Sequence, residues 1–295
     1  MSVSIGLDHH NDQSHPSHYT TTPQKRACGG GRPCDLIAGH VLGGGSAHNE
    51  MGYFRGSKLD YDEWADETGD SDWSYDRLLP LMKGLESAEP GLGSDEFRGR
   101  SGPIHVQENI GTKYVFDDFV TRWKLAAQEL NYTVGDFHGK VNANWGPMQI
   151  NVHHGRREDT DRVFLRPLGG PSPSGRGQVH QLNLDILTFA HVVRVLFVGH
   201  SAVGVEYTKG STCYRVYADR EVVLSAGALS TPQILMLSGI GPRAQLEKHG
   251  IRELSPLEGV GQNLQDHPAT RLLYTTNVTD RDLGDHAMIN EFKLV

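Results

Sequence analysis

An α/β fold with α+β character follows from three stretches of this 295-residue sequence. The run "EVVLSA" (Glu221–Ala226) is an apolar strand that passes straight into "GALSTPQILMLSGIGP", a helix with a small-residue entry and a glycine exit. Strand, tight turn and helix is the repeating unit of α/β proteins. Just upstream, "VRVLFV", "AVGVEYT" and "CYRVYA" are short β-branched and aromatic runs, the last two joined by a "KGS" turn, which predicts a β-meander. Between Val115 and Leu130 the residues Val115, Phe116, Phe119, Val120, Trp123, Ala127 and Leu130 recur at threes and fours, the period of a helix with one apolar stripe.

Taken along the chain, residues 1–23 are polar and without periodicity, and they read as an irregular tail. His9, His10, His15 and His18 in that tail lack the i, i+4 pairing or carboxylate partner of a metal site, so no metal is expected. A helix is predicted over Tyr75–Leu85, with Ser74 as N-cap and Leu78, Leu79, Leu81 and Met82 on its buried side. The Gly/Pro/Ser-rich segment 168–178 reads as an exposed connection. In the helix after "EVVLSA", Ser230 or Thr231 is expected to cap, Pro232 to sit in the first turn and Gly239 to end the helix after Ser238. Pro242–His249, closed by Gly250, repeats that start and stop.

Composition narrows the function classes. A net charge of −8 with no basic stripe argues against broad binding to nucleic acid or anionic membrane. No run approaches a membrane span, no signal peptide is legible, and the compartment is not indicated. Cys28, Cys34 and Cys213 have no zinc spacing, and an odd count argues against a complete disulfide framework, although Cys28 and Cys34 are near enough in sequence to pair. Glycine is abundant at 35 residues, which implies many close backbone approaches.

The densest of these is "HVLGGGSAHNEMGYFRG", His40–Gly56. Two readings stand for Gly43, Gly44 and Gly45: an ordinary tight turn, or bare backbone kept clear for a ligand. Ser46, His48 and Asn49 add hydroxyl, imidazole and amide groups beside that backbone, which suits a phosphate-bearing or heteroaromatic ligand.

"GHVLGGGSAHNEMGYFRG" and "GALSTPQILMLSGIG" together resemble the two signatures of the glucose–methanol–choline (GMC) flavoprotein oxidoreductases. "DYDEWA", "FLRP", "AHVVRVLF" and "GVGQNLQDHP" agree in the family's order, so the resemblance runs from about Tyr19 to about His267. It implies FAD as cofactor, with Val41, Gly43, Gly44, Gly45 and Ser46 lining it and Asn49, Glu50, Met51 and Gly52 beneath the flavin. It further implies backbone of Val192 at the adenine, close approach at Ala226 and Gly227, and Asn263, Asp266 and His267 near the reactive side. Val192 also reads as plain core, and His267 as a structural histidine. His48 followed by asparagine is similar to choline-oxidase-like members, where the histidine is a covalent tether to the flavin; a histidine that only hydrogen-bonds near the ring is the other reading.

Two departures bear on function. No strand, G-x-G-x-x-G and helix precede His40, and "CGGGRPC" is not that fingerprint. The family's proton-abstracting histidine lies beyond Val295, so no catalytic residue is expected within this chain. The implied organisation is a tail (1–23), FAD-binding parts at 24–105 and 176–270 of the two-dinucleotide type, a helical insertion and connection at 106–175, and the start of an antiparallel substrate domain at 271–295. The implied activity is oxidation of a small-molecule alcohol, choline among the candidates, to an aldehyde; a truncated, non-catalytic fragment of the same family is the alternative. Glu291 reads either as an anion for a cationic substrate or as a surface residue.

Overall fold

Within the stretch expected to be an irregular tail, β1 (Ser2–Ile5) pairs in parallel with β14 (Glu221–Leu224), and β2 (Ser17–Thr20) pairs antiparallel with β3 (Asp35–Ala38). A strand therefore does precede His40, contrary to the sequence reading. "SVSI" alternates β-branched and small residues too briefly to register as a period, and its partner lies at the far end of the chain. The computed structural model describes residues 2–5, 17–28, 30–109, 117–139, 144–168, 179–181, 184–266, 270–271 and 293–294. It divides into two units, Met1–His48 with Leu165–His267, and Asn49–Phe164 with Pro268–Val295.

In the first unit, β9 (Val179–Gln181) and β10 (Leu184–Ile186) form a small antiparallel pair. The meander is a three-stranded antiparallel sheet in the order β11 (His191–Val198), β12 (Ser201–Lys209), β13 (Thr212–Tyr217), with Gly210 at φ 61 in the "KGS" turn. On it lies α4 (Gly227–Leu237): Ile234, 2% exposed, packs with Val192, Val195 and Val205, and Tyr207, Val222, Leu224 and Ala226 close around them. Each such side chain contributes roughly 1.5–3 kcal/mol when fully buried. The helix starts earlier than its expected cap. Gly227 (φ 85) turns the chain straight into it, Thr231 Oγ1 accepts from Ala226 N at 3.1 Å, and Pro232 sits inside the helix. Gly239 (φ 87) follows the last turn as expected, then β15 (Ile240–Gly241) pairs in parallel with β16 (Ser255–Pro256) around α5 (Arg243–Lys248). A disulfide joins Cys28 to Cys34.

The first helix of the second unit is α1 (Lys58–Thr68), which was not among the helices expected from the sequence. Its signal is a capping box: Asp60 N donates to Ser57 Oγ and Ser57 N donates to an Asp60 carboxylate oxygen. Then comes α2 (Tyr75–Leu85), with the expected bounds. Its inward stripe is Tyr75, buried, with Leu78, Leu79 and Met82 half-buried; Leu81, expected inside, is 66% exposed because it falls off that i, i+3, i+4, i+7 line. Ser74 precedes the helix, but its Oγ donates to Ser71 O and caps nothing. β4 (Glu86–Ala88) runs parallel to β5 (Ile104–Glu108), which pairs antiparallel with β6 (Gln149–Ile150); α3 is Asp117–Glu129, and β7 (Val152–His153) and β8 (Arg156–Arg157) make a hairpin. Ala127 of α3 is buried, whereas Leu130, expected on the same stripe, is 70% exposed beyond the helix end; Val115 and Phe116 lie outside the described residues. Among the described residues no helix is long and apolar enough to cross a membrane.

The interior of this unit is ionic. Glu86, fully buried, takes Arg55 Nη2 at 2.6 Å, Arg98 Nε at 3.1 Å and Gly99 N at 2.7 Å on one carboxylate oxygen. Arg98 Nη1 also faces Asp136 Oδ1 at 3.5 Å, and the same oxygen accepts from His138 N and Gln149 Nε2. Arg55 N donates to His138 Nδ1 at 3.2 Å, which defines that nitrogen as the unprotonated one. Burial, and then repulsion from Arg98, hold His138 down to about 4. A buried pair with one member deleted leaves an uncompensated charge, so Arg98→Met is expected to cost about 3–5 kcal/mol in chemical denaturation. Between pH 4 and about 6.5 the unfolded chain binds a proton at His138 that the folded chain refuses, so stability rises with pH across that window. Melting temperatures recorded from pH 4 to 7 should climb for the native protein and climb less for His138→Gln.

Candidate functional site

β3 delivers the chain into Gly39–His48, where the glycines serve different ends. A Cβ on Gly39 would overlap the carbonyl of Gly44, so the loop folds back onto its own entry. Gly43 (φ 91) and Gly44 (φ 52) occupy left-handed backbone. Gly44 N donates to Val41 O at 2.8 Å, Ser46 N and Oγ both donate to Gly43 O, and His48 N donates to Gly45 O at 3.2 Å, closing a 3-10 turn over Gly44–Ala47. Gly45 stands apart: its φ is not positive, it is exposed, and a Cβ built on it meets nothing within 4 Å. Nothing among the described residues requires glycine there. Val41 and Ser46 are half-buried and His48 is exposed at the end of the turn.

Three other parts of this unit are tied to α4. Ala226 and Gly227 form its entry, with Gly227 exposed and nothing within 4 Å of an added Cβ. Gly261 (φ 75) brings the "GVGQNLQD" loop against the helix, a Cβ there standing 3.5 Å from Met236 and 3.7 Å from Pro232. Beyond it, Asn263 (φ 54) and Asp266 are exposed. His267 lies outside the described residues. Tyr19 of β2 reaches Ser230 of α4, hydroxyl to hydroxyl at 3.4 Å, so the hairpin that leads into the glycine loop is bonded to the same helix. Val192 lies in β11 at the sheet edge, beside a bulge that ends at Arg194; its side chain is 6% exposed and belongs to the core. The sequence reading passed over Tyr19, because a lone tyrosine in a polar tail gives no pattern.

Asn49, Glu50, Met51 and Gly52 open the second unit. Asn49 Oδ1 accepts from Met51 N at 3.0 Å and from Arg157 Nη1 at 2.6 Å, which holds Met51 in left-handed backbone (φ 62). Asn151 N donates to Met51 O at 3.0 Å, Gly52 bridges Ile150, and Tyr53 N donates to Gln149 O, so the stretch runs as an added strand along 149–151. Gly52 is crowded, a Cβ there falling 2.7 Å from the Phe54 ring.

The family model for GMC oxidoreductases matches residues 24–269. The chain belongs to the GMC oxidoreductase family. An oxygen-dependent choline dehydrogenase of Brucella anthropi is 35% identical to this member over 249 residues, 84% of the chain and 42% of the relative. An FAD-dependent oxidoreductase from Chaetomium thermophilum superposes with a TM-score of 0.72 at 31% identity, covering 97% of this chain and 52% of that one. Pyridoxine 4-oxidase from Mesorbium loti superposes at 0.69 with 26% identity over 87% of this chain and half of its own. The chain thus spans well under two thirds of the relatives it matches.

The division among the glycines is testable by melting. Gly39→Ala forces a methyl into the Gly44 carbonyl and should cost about 1–3 kcal/mol, whereas Gly45→Ala should stay within about 0.5 kcal/mol of the native protein.

Proposed function

We propose that this chain contributes the FAD-holding part of a GMC alcohol oxidoreductase. The single observation that carries the reading is Gly45: it is bare backbone that no strain and no neighbour among the described residues explains, at the centre of a loop bounded by polar side chains. A molecule outside the chain that packs on the loop explains it. The entry of α4 offers a second exposed glycine, Gly227, at a helix N-terminus whose dipole favours an anion such as a diphosphate.

On this reading Val41, Gly43, Gly44, Gly45 and Ser46 line the cofactor, Asn49–Gly52 run beneath the flavin, Val192 offers backbone to the adenine, and Asn263, Asp266 and His267 stand near the reactive side. The FAD-binding parts are 24–105 and 176–270, flanked by the insertion 106–175 and the opening of a substrate domain at 271–295. Bound FAD supplies the hydride acceptor for alcohol oxidation. We assign no residue of this chain the role of proton acceptor. Choline is the favoured substrate class, supported by the His48–Asn49 pair and by the likeness to the Brucella choline dehydrogenase. His48, exposed at the end of the 3-10 turn, is the residue proposed to tether the flavin.

Purified protein loaded with FAD and passed through gel filtration should retain yellow colour, and Gly45→Val should lose it with an unchanged melting temperature. A native protein that elutes colourless overturns the proposal. Acid precipitation followed by peptide mass analysis around His48 checks the tether: flavin released wholly to the supernatant rejects a covalent bond.

A further inference from the structure

A second constellation lies wholly inside the second unit and owes nothing to the flavin reading. His105 on β5, His153 on β7 and Glu158 just after β8 each turn one ligand atom inward, and these three atoms lie within 4.8 Å of one another. Glu158 is the fixed point. It is 7% exposed, its N donates to Asn151 O at 3.0 Å, and its carbonyl accepts from Asn151 Nδ2 at 2.7 Å. Its Oε2 accepts from His105 N at 3.2 Å and lies 2.9 Å from His105 Nδ1, and its Oε1 lies 3.9 Å from His153 Nδ1. The two imidazoles stack with centroids 3.5 Å apart and planes within 7°. The hairpin that carries His153 turns through His154 (φ 49) and Gly155 (φ 70), a two-residue loop of the primed kind that fixes the register and sets His153 opposite Arg156.

We propose that His105 Nδ1, His153 Nδ1 and the Glu158 carboxylate bind a divalent transition-metal ion of the Zn²⁺ class, with water completing the shell. Two imidazoles and one carboxylate suit such an ion; ligands about 2.1 Å from a tetrahedral centre stand about 3.4 Å apart, so each nitrogen has to shift by about half an ångström relative to the carboxylate oxygen it faces, His105 Nδ1 being 2.9 Å from Oε2 and His153 Nδ1 3.9 Å from Oε1. Parallel rings aim their lone pairs in parallel, so binding requires one ring to tilt out of the stack. His153, with 37% of its side chain exposed on a hairpin turn, is the one able to do so, while the His105 backbone N keeps its bond to Glu158 Oε2 and Nδ1 exchanges its proton for the metal. Arg162, whose Nε is 3.8 Å from Glu158 Oε1 and whose side chain is one-third exposed, is the resident cation that the metal displaces. His154 packs beside His153, centroids 3.9 Å apart, but is not one of the three ligands.

The test is titration of the full chain with Zn²⁺ by calorimetry and with Co²⁺ by visible absorption. The native protein should bind one equivalent with the intense d–d bands of a four- or five-coordinate Co²⁺ site. His153→Asn, which leaves the His105–Glu158 contact in place, should bind at least about tenfold more weakly and lose those bands, and His154→Asn should keep both. The polar tail, with its own histidines, is common to all three proteins and cancels in the comparison. Equal affinity and equal spectra for the native protein and His153→Asn would overturn the site, as would loss of binding in His154→Asn alone.

Discussion

The docking of α4 on β11 is the constraint from which the first unit is built. Ile234 inserts between Val192, Val195 and Val205, and Ser238 at the helix end accepts from Val195 N at 2.8 Å while donating to Ile234 O, so apolar burial fixes the helix and one hydroxyl fixes its rotation. The other parts hang from that helix. Tyr19 bonds to Ser230 from the β2–β3 hairpin, Gly261 packs on Pro232 and Met236, and Gly239 turns the chain into β15. Moving α4 would disturb the glycine loop, the entry at Ala226–Gly227 and the Asn263 loop together. A cofactor cradle assembled from distant stretches needs such a common anchor.

The second unit solves a different problem with charge. Its most buried large side chains include Arg98, His138 and Glu86, so a network of ion pairs and hydrogen bonds sits among the buried apolar residues Val106, Ile150 and Val152. Such networks stabilise little compared with an apolar replacement, and removing one partner leaves another's charge uncompensated. Arg55, Glu86, Arg98 and Asp136 come from separate loops and a strand, and their mutual geometry fixes where Tyr53, Gly52 and Met51 run along 149–151.

Much of this was legible beforehand because it is local. The four strands from His191 to Leu224, the helix over Tyr75–Leu85 and the helix closed by Gly250 all follow from residue order over short windows, with glycine and proline marking the ends. The start of α4 was misread since a side chain that caps in one setting can be buried in another: Ser230 is spent on Tyr19 and Thr231 on Ala226 N. β1 escaped notice because its partner is at the opposite end of the chain, and α1 because its capping box sat in a run of acidic residues. The His105–His153–Glu158 group has no spacing motif at all, being made by strand pairing and a hairpin turn. In the glycine loop the sequence left turn and ligand as rival readings; the geometry divides them residue by residue, Gly39, Gly43 and Gly44 serving the turn and Gly45 left over.

That division bears on what these parts can and cannot specify. On the proposed reading, apart from the His48 side chain, both signatures meet the cofactor with backbone, through a loop and a helix entry whose glycines leave the surface bare. Backbone N–H groups recognise the charge and flatness that every dinucleotide cofactor shares, and they carry no information about a substrate. Relatives whose names point to different substrates can therefore share this framework at between about a quarter and just over a third of their residues. Discrimination between substrates has to come from side chains that face the flavin's reactive side. On that reading the Asn263–Asp266 stretch is the proposed contributor to that face among the described residues, and the choice of alcohol would rest with the elements that meet it.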